Sequence, residues 1–473
     1  MACPTRRNSA LERWPAAFAE RMRAWLGDES ERFFASLVKG DVGIRLNPLR
    51  GQTADLVALL PWPTERVPWC DEGFRLRSED AVSPGSHPYH NAGVYYLQDP
   101  SAMAAAVLLD PQPGEWVLDL AAAPGSKATH LAARMGNEGV LVANEVSRQR
   151  ATILAMNLER MGVTNAMVTN AYPDRLAEAW SGLFDALLVD APCSGEATFA
   201  DDARALRSWS LATVRDYAAR QLRILDQAAD LVRPGGRLLY GTCTFSPEEN
   251  EGVVGAFLDE HPAFALSDLP DLPGLSPAHP EWLDVADHVR RAGRYWPHTG
   301  PGHGHFYALL ERQGPPPDDL PARWEDQEIP GRVLGLYERA LGEVLADAPP
   351  ATGLLLTKDD HCYISPMPPA LSARVPVLRP GWWVASLRHG KVQPDHALAM
   401  AITPEEARAH IRLSPDDPRI TTFLDGGFWM DNGPAGHVLV TVDGFPLGWA
   451  KRDAQRLRSR YPVHLRRARS LHL

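Results

Sequence analysis

Short apolar runs alternate with amphipathic segments through residues 115–312. Five of the runs have the length of a strand, at 116–120, 139–145, 166–170, 186–190 and 237–242. Near-continuous hydrophobicity is typical of strands buried on both faces of a parallel sheet. Helical patterns separate them, as at 149–161 and 211–232, and the second helix should end at Arg233-Pro234-Gly235-Gly236. The alternation predicts an α/β fold with a doubly wound, Rossmann-like core.

The segments on either side of this core have different patterns. Residues 1–110 contain an amphipathic helical stretch at 16–26 and a short apolar run at 43–50, which predicts a separate α+β module. The stiff, polar segment 314–321 (GPPPDDLP) indicates a linker. Beyond it, Thr403-Pro404-Glu405-Glu406 has the form of a helix capping box, and Asp443-Gly444 predicts a hairpin. We therefore predict domains at 1–110, 111–312 and 325–473, with a linker at 313–324.

The composition is that of a globular protein. Of 473 residues, 45% are hydrophobic and 23% are charged, and the sequence has no run of about 18 apolar residues. The first seven residues, MACPTRR, lead into no signal-like apolar core, so we expect a cytoplasmic protein without a membrane partner. We also expect a monomer. The five cysteines are far apart and form no CxxC pair, which argues against disulfides and zinc. We expect no metal.

The charge is distributed unevenly along the chain. The net charge is −11, yet residues 451–473 carry eight Lys/Arg against one Asp. Such a run is a solvated surface in most proteins, but nucleic-acid binding needs only a local basic surface, and we favour RNA contact here. Arg45, Asn47 and Arg50 could hold phosphates or lie at a solvated edge.

A cofactor site is indicated where the first two predicted strands end. The sequence 119–127 reads DLAAAPGSK, and small residues at a strand-to-helix turn let a ligand approach the backbone amides. Glu145 ends the second strand, where a doubly wound fold places a carboxylate on ribose hydroxyls. This combination suits an adenosine ligand without pyrophosphate, such as S-adenosyl-L-methionine. Asp190, at the end of the fourth strand, would attract its positive sulfonium.

Two cysteines follow neighbouring predicted strands. Cys193 lies in DAPCSG after the fourth strand, and Cys243 lies in TCT after the fifth. Since ligands of open α/β sheets bind outside the carboxyl ends of the strands, both thiols should reach one cleft. The pair His303 and His305 resembles a set of metal ligands but should have no acidic partner nearby, and we set it aside.

At these motifs the chain resembles the RNA (cytosine-5) methyltransferases of the Sun-domain family, and within it the ribosomal small-subunit methyltransferase F type. The resemblance rests on AAAPGSK, ANE at 143–145, DAPCSG, GTCTFSPEENEGVV at 241–254 and YLQDPSAM at 96–103. The segments HALAMAI at 396–402 and GWAK at 448–451 are similar to the RNA-binding, PUA-like end of the same type. Ser126 stands where many relatives have a second glycine.

The resemblance implies a class I methyltransferase core between an N-terminal RNA-binding module and a C-terminal PUA-like module. It implies that Cys243 is the nucleophile and that Cys193 helps to release the product; spacing alone cannot decide this, because DNA cytosine methyltransferases use a cysteine in a PC motif. Asp190, in a protonated form, would assist at nitrogen 3 of the base. The implied cofactor contacts are Ala121, Ala122, Ala123, Pro124, Gly125, Ser126, Lys127, Glu145 and Asp190.

Several alternatives stay open on the sequence alone. The implied substrate is small-subunit ribosomal RNA, free or in the ribosomal subunit, and transfer RNA is the runner-up. An RNA-binding assembly factor without activity and a small-molecule methyltransferase are rivals from other classes. The intact cysteines speak against the first, and the basic end speaks against the second. The contact on the adenine side is either Tyr172 or Asp174.

Overall fold

The computed structural model describes residues 13–38, 42–76, 83–315, 329, 331–357, 359–388, 391–453 and 455–466. Most of the predicted linker at 313–324 therefore lies outside the described residues, as do the last seven residues of the basic end. Among the helices described, none is both long and apolar enough to cross a membrane.

The N-terminal part is a small α+β unit. In chain order it contains α1 (Ala16–Leu26), α2 (Ser30–Ser36), β1 (Val42–Leu46), α3 (Thr53–Ala58), β2 (Thr64–Arg66), β3 (Gly73–Leu76), α4 (Pro88–Asn91), β4 (Tyr95–Leu97) and α5 (Pro100–Leu109). The strands form an antiparallel sheet in the order β2-β3-β1-β4. Helix α1 begins and ends as predicted. Its buried Phe18 and Met22 share an apolar cluster with Phe245, close to the predicted Cys243 site.

The central part contains the predicted alternation of strands and helices. Its elements are β5 (Trp116–Asp119), α6 (Ser126–Arg134), β6 (Val140–Asn144), α7 (Arg148–Arg160), β7 (Ala166–Thr169), α8 (Pro173–Trp180), β8 (Phe184–Asp190), α9 (Ala203–Ser208), α10 (Leu211–Leu231), β9 (Val232–Thr242), α11 (Glu251–Glu260), β10 (Phe264–Leu266), β11 (Leu275–Pro277), β12 (Gly293–Tyr295) and β13 (His305–Arg312). All five predicted strands are present. The fifth starts at Val232, five residues early, because Arg233-Pro234-Gly235-Gly236 forms an irregularity within the strand.

The sheet order places the cleft. Strands β7, β6, β5, β8 and β9 are parallel neighbours in that order, and β13 pairs antiparallel with β9. The chain therefore adds β6 and β7 on one side of β5, and then β8 and β9 on the other side. Such a switch point opens a crevice at the carboxyl ends of the strands. The Rossmann-like fold class is confirmed, and the predicted cofactor and cysteine motifs all leave this edge.

The C-terminal part forms two further sheets. Its elements are α12 (Gly331–Gly342), β14 (Leu354–Leu356), β15 (His361–Ile364), α13 (Pro369–Ser372), β16 (Val377–Arg379), β17 (Trp382–Arg388), β18 (Lys391–Pro394), α14 (His396–Ala401), β19 (His410–Leu413), α15 (Pro418–Leu424), β20 (Phe428–Met430), β21 (Gly436–Val442), β22 (Phe445–Asp453) and β23 (Arg456–Ser459). The sheet orders are β14-β15-β17-β18 and β19-β21-β22-β23-β20, while β16 joins the central sheet beside β7. Side chains of the N-terminal sheet and of the last sheet share one apolar cluster.

Two local predictions in this part had different outcomes. The hairpin at Asp443-Gly444 is confirmed, with positive φ values of 49° and 96° that suit a two-residue turn. The capping-box prediction of a helix after Thr403 is wrong. Glu406 does accept a hydrogen bond from the Thr403 amide at 2.7 Å, but only a turn follows. Ala407 already bridges to Leu345, so the chain is extended again before a helix could form.

Candidate active site

The loop after β5 has a geometry that requires its glycine. Gly125 has φ 113°, and a Cβ there would lie 3.2 Å from a Leu154 methyl carbon. The Ala122 amide donates to the Asn144 carbonyl at 2.8 Å, and the Asn144 side chain donates to the carbonyls of Leu120 and Ala171. Asn144, the last residue of β6, is thus hydrogen-bonded to the segments that follow β5 and β7. These bonds hold the cofactor-site loop in place.

Glu145 lies beside this loop, as the sequence predicts. Its carboxylate is 2% exposed and accepts the Ser147 amide at 2.9 Å. The second oxygen lies 3.0 Å from the Arg150 guanidinium, which also donates to the Ala123 carbonyl at 2.6 Å. The carboxylate and the loop therefore face one another across the side chain of Arg150.

Asp119 is a site residue that the sequence reasoning did not single out. It is 1% exposed, and among the described residues neither of its carboxylate oxygens meets hydrogen-bond geometry with a partner. Burial, reinforced by the charge of Asp190, raises its pKa to about 8. A buried carboxylate without a partner at the end of β5 fits a positively charged group of a ligand. In the sequence, Asp119 could have been found as the acid at the start of DLAAAPGSK.

Lys127 and Asp190 form an ion pair across the crevice. The Lys127 Nζ lies 2.7 Å from an Asp190 Oδ, and Lys127 is 8% exposed. Burial opposes the lysine charge, yet the pKa of Lys127 is raised because the attraction and hydrogen bond of Asp190 outweigh it. Lys127 donates to the Asp190 carboxylate in this contact. The expected assistance of a protonated Asp190 at nitrogen 3 of the base stays a prediction.

The two thiols are in contact. The Sγ atoms of Cys193 and Cys243 are 3.3 Å apart, and both residues are partly buried. They meet because β8 and β9 are parallel neighbours, with the Ala191 amide donating to the Gly241 carbonyl at 2.9 Å. The hydrogen bond with Cys243, together with burial, raises the pKa of Cys193 well above the ordinary thiol value.

Buried glutamates hold the segments that carry the thiols. Glu249 accepts hydrogen bonds from the Ser194 amide and from the Gln221 side chain, each at 2.9 Å. Glu196 accepts from the Phe245 amide at 2.8 Å. Both glutamates are fully buried, and burial raises the pKa of Glu249 to about 7. The sequence analysis did not single out Glu249; its signal was an acid within GTCTFSPEENEGVV, whose partners the sequence does not specify.

The interpretation that His303 has no acidic neighbour is wrong. Its Nδ1 lies 2.9 Å from Asp99 and its Nε2 lies 3.0 Å from Asp201, two residues that are remote in sequence. The hydrogen bond to Asp99 raises the pKa of His303. His305 is buried, and its Nδ1 lies 2.8 Å from the Ser101 hydroxyl. The loop before β13 is therefore joined to the start of α5 beside the crevice.

Of the three suggested phosphate contacts in the N-terminal part, Arg45 and Asn47 are buried, while Arg50 is half-buried and donates to the Arg160 carbonyl at 3.2 Å. Arg45 is 0% exposed and donates to the Ser126 carbonyl and to the Thr129 hydroxyl. The Asn47 side chain donates to the carbonyls of Gly93 and Met161. Neither lies at a solvated edge or is available to a phosphate. Arg45 instead supports the first turn of α6, next to the cofactor loop.

Tyr172 and Asp174 flank the start of α8. Tyr172 precedes the helix and is 68% exposed, and Asp174 is exposed in the first turn. Neither side chain is held against the loop after β5 by a hydrogen bond within the described part of the chain. Both alternatives for the adenine side therefore stay open.

Comparisons with known proteins agree along the whole chain. Family models match in order: the N-terminal domain of 16S rRNA methyltransferase RsmF at 14–100, 16S rRNA methyltransferase RsmB/F at 106–311, the RsmF rRNA methyltransferase first C-terminal domain at 341–402, and the methyltransferase RsmF PUA domain at 411–467. Ribosomal RNA small subunit methyltransferase F of Klebsiella pneumoniae is 35% identical over 96% of each chain. Its Escherichia coli O6:H1 counterpart is 34% identical over 89% of each.

The chain belongs to the ribosomal RNA small subunit methyltransferase F family. The resemblance found in the sequence is thereby confirmed, and the protein is an RNA methyltransferase. A methyltransferase homolog from Pyrococcus horikoshii aligns with TM-score 0.57 and 32% identity over 65% of this chain and 99% of that one. NSun6 from the same organism, at 21% identity and TM-score 0.57 over 64% of this chain and all of that one, has the same fold.

Proposed function

We propose that this methyltransferase transfers a methyl group from S-adenosyl-L-methionine to carbon 5 of cytosine in small-subunit ribosomal RNA, through a covalent bond between Cys243 and the base. The observation that carries the proposal is the contact of two thiols, 3.3 Å apart, at the edge of the sheet where the cofactor loop also ends. Methyl transfer to an oxygen or an exocyclic nitrogen needs no thiol. A ring carbon needs a nucleophile that activates it.

The residues at the switch point fit the proposed cofactor. Ala121–Lys127, Glu145 and Asp190 are the proposed contacts, with Glu145 toward the ribose. Asp119 joins them, because its carboxyl is buried, meets hydrogen-bond geometry with none of the described residues, and suits a positive group. When bound, the cofactor supplies an electrophilic methyl group on a sulfonium. The chain supplies the carboxylate of Asp190 and, beside it, the buried carboxyl of Asp119, whose raised pKa a positive ligand group would lower again.

The bonds and protons of the base chemistry can be assigned to the two thiols, to Lys127 and to solvent. The Cys243 thiol loses its proton to solvent, the thiolate adds to carbon 6 of cytosine, and the electron pair of the 5,6 double bond makes carbon 5 nucleophilic. Lys127, paired with Asp190, is placed to donate toward the charge that develops at nitrogen 3. Once Cys243 is bonded to the base it no longer raises the pKa of Cys193, so the Cys193 thiol can lose its proton to solvent and, as a thiolate, accept the carbon-5 proton after methylation. The electron pair of that C–H bond re-forms the double bond, and the Cys243 thiolate leaves.

Direct assay of the purified enzyme tests the proposed reaction. The enzyme is incubated with tritiated cofactor and small-subunit ribosomal RNA, either free or in the assembled subunit, and the RNA is digested to nucleosides. We expect the tritium to elute as 5-methylcytidine. Label in another nucleoside would overturn the chemistry, and label accepted only by transfer RNA would overturn the substrate.

A carboxylate substitution tests the cofactor site. We predict that Glu145→Ala weakens S-adenosyl-L-methionine binding by about 1.5–3 kcal/mol, as expected for lost hydrogen bonds to a charged group. Isothermal titration measures the dissociation constant. Glu138→Ala is the matched control, because Glu138 is exposed near the opposite end of β6. Equal dissociation constants for the Glu145 variant and the wild type would remove Glu145 from the site.

We also propose that residues 1–110 and 325–473 are RNA-binding modules that flank the catalytic domain at 111–312. The last sheet supports this for the C-terminal module. Lys451 pairs with Arg458, which pairs with Phe428, so three exposed side chains adjoin on one face of β22, β23 and β20. Arg456 extends the row, and both arginines lie over the Phe428 ring. A basic face with an exposed aromatic ring suits a nucleic-acid strand.

If this face contacts RNA phosphates, RNA affinity should depend on the salt concentration. Arg452 is excluded from it, because it is buried against Asp431 at 2.6 Å. We predict that Lys451→Gln with Arg456→Gln and Arg458→Gln weakens RNA binding and lowers its logarithmic salt slope by about 2, near 0.7 for each phosphate contact. The control changes three exposed arginines that are already paired with carboxylates, Arg32, Arg175 and Arg290. An identical slope in both triple variants would exclude this face from RNA contact.

A further inference from the structure

Each of the two segments that carry a thiol contains a buried glutamate whose carboxylate binds the other segment. Glu249 follows Cys243 in sequence, but its carboxylate binds the amide and the hydroxyl of Ser194, next to Cys193. Glu196 follows Cys193 in sequence, but its carboxylate binds the Phe245 amide, two residues after Cys243. Each thiol is thus positioned by an acid from the other thiol's segment.

The contacts of Glu249 enclose Cys193 from both sides. The Gln221 side chain donates to Glu249 at 2.9 Å and also to the Pro192 carbonyl at 3.0 Å. Glu249 and Gln221 therefore hold the residues that precede and follow Cys193. The Ser194 hydroxyl lies 2.9 Å from the Thr244 hydroxyl, which completes the link between the two segments.

Glu196 and its neighbour Ala197 hold Cys243 and the residues that follow it. The Ala197 amide donates to the Cys243 carbonyl at 3.1 Å, while the Glu196 carboxylate accepts the Phe245 amide and, at 2.6 Å, the Ser246 hydroxyl. The Trp209 indole donates to the same carboxylate at 2.8 Å. The backbone on both sides of the Cys243–Thr244 bond is therefore fixed from the Cys193 segment.

We infer that Glu249 and Glu196 are positioning residues with separate roles, Glu249 acting through Cys193 on release of the methylated base and Glu196 acting through Cys243 on the initial attack. The inference rests on the proposed roles of the two thiols. Geometry separates the two effects, because the Glu249 carboxylate accepts the backbone amide of Ser194, next to Cys193, whereas the Glu196 carboxylate accepts that of Phe245, two residues after Cys243. A role limited to folding would instead disturb attack and release alike.

The ionisation of Glu249 gives the inference a second readout. Burial raises its pKa to about 7, so it changes charge in the working range. Above that pH the ionised carboxylate accepts from Ser194 and Gln221, and below it the added proton removes an acceptor. The other polar or titratable groups that face it are Cys193, Glu196, Thr244 and Tyr240, whose hydroxyl donates to the Glu249 carbonyl. Release should therefore slow as the pH falls through about 7.

The experiment compares two RNA substrates under single turnover. On RNA that contains 5-fluorocytidine no carbon-5 proton can leave, so the rate of covalent complex formation reports attack and methyl transfer without release. On ordinary RNA the rate of product formation includes release. We expect Glu249→Gln to trap fluorinated RNA at the wild-type rate and to release ordinary product about tenfold more slowly. Glu196→Gln should trap fluorinated RNA about tenfold more slowly.

Controls keep the outcome interpretable. Glu248→Gln, the same change at the adjacent residue, should behave as wild type, because Glu248 pairs with Arg21 instead. Thermal melting and cofactor titration check folding, and Gln221→Ala replaces Glu249→Gln if that variant is unstable. The inference is overturned if Glu249→Gln slows trapping and release equally, or if its release keeps the wild-type inflection near pH 7. Absence of any trapped complex with wild-type enzyme would instead contradict the proposed function.

Discussion

Cys193→Ala is expected to convert the enzyme into a trap for its RNA. Cys243 should still bond to carbon 6 of the cytosine and the methyl group should still be transferred. The carbon-5 proton then has no acceptor, and the thioether is stable until that proton departs. Covalent protein–RNA complex should accumulate to about the amount of enzyme present, visible as a slowly migrating band on a denaturing gel.

The double variant is the control for the trap. Without either thiol no slow band should form, and without cofactor the single variant should give far less of it. If Cys243→Ala traps RNA while Cys193→Ala does not, the roles are reversed and the arrangement of the DNA cytosine methyltransferases applies. The contact of 3.3 Å between the sulfurs brings both within reach of one base, so the geometry alone permits either order.

Cys243→Ala should abolish methyl transfer, by more than about a thousandfold, while cofactor affinity stays within a few-fold. The thiolate takes part only along the reaction path, so its loss lowers the rate without affecting ground-state binding. A tritium-transfer assay measures the rate, and isothermal titration measures the affinity. Wild-type transfer by this variant would exclude Cys243 as the nucleophile.

The thiol pair could be predicted from sequence because parallel neighbouring strands end at the same edge of a sheet. Asp190 and Cys193 follow β8, Cys243 follows β9, and a crevice forms wherever the strand order reverses. The same logic placed Glu145 beside the loop after β5. These predictions needed only the order of apolar runs and the residues that follow each run.

Other parts of the site depend on contacts between remote segments. Asp99 and Asp201 lie far from His303 in sequence, and nothing near His303 signals them. The ion pair of Asp190 depends on where the first turn of α6 directs Lys127, which spacing does not specify. In the sequence, Arg452 is one more basic residue of a charged end. Only the strand register shows that it lies against Asp431.

Local patterns also failed where tertiary contacts compete with them. Thr403 and Glu406 make half of a capping box, yet the chain after them pairs with Leu345 instead of forming a helix. In contrast, the hairpin at Asp443-Gly444 succeeded because its turn needs only two residues with positive φ. Short signals are therefore reliable when the structure that they specify is equally short.

Bisulfite sequencing of small-subunit ribosomal RNA tests the central claim most directly. RNA would be compared among the parent strain, a strain lacking this protein, and that strain carrying either the wild type or Cys243→Ala. The proposed function predicts at least one cytosine that resists conversion in the parent and with the wild-type copy, but converts in the deletion and with the Cys243 variant. If every small-subunit cytosine responds identically in all four strains, the enzyme does not form 5-methylcytosine in that RNA.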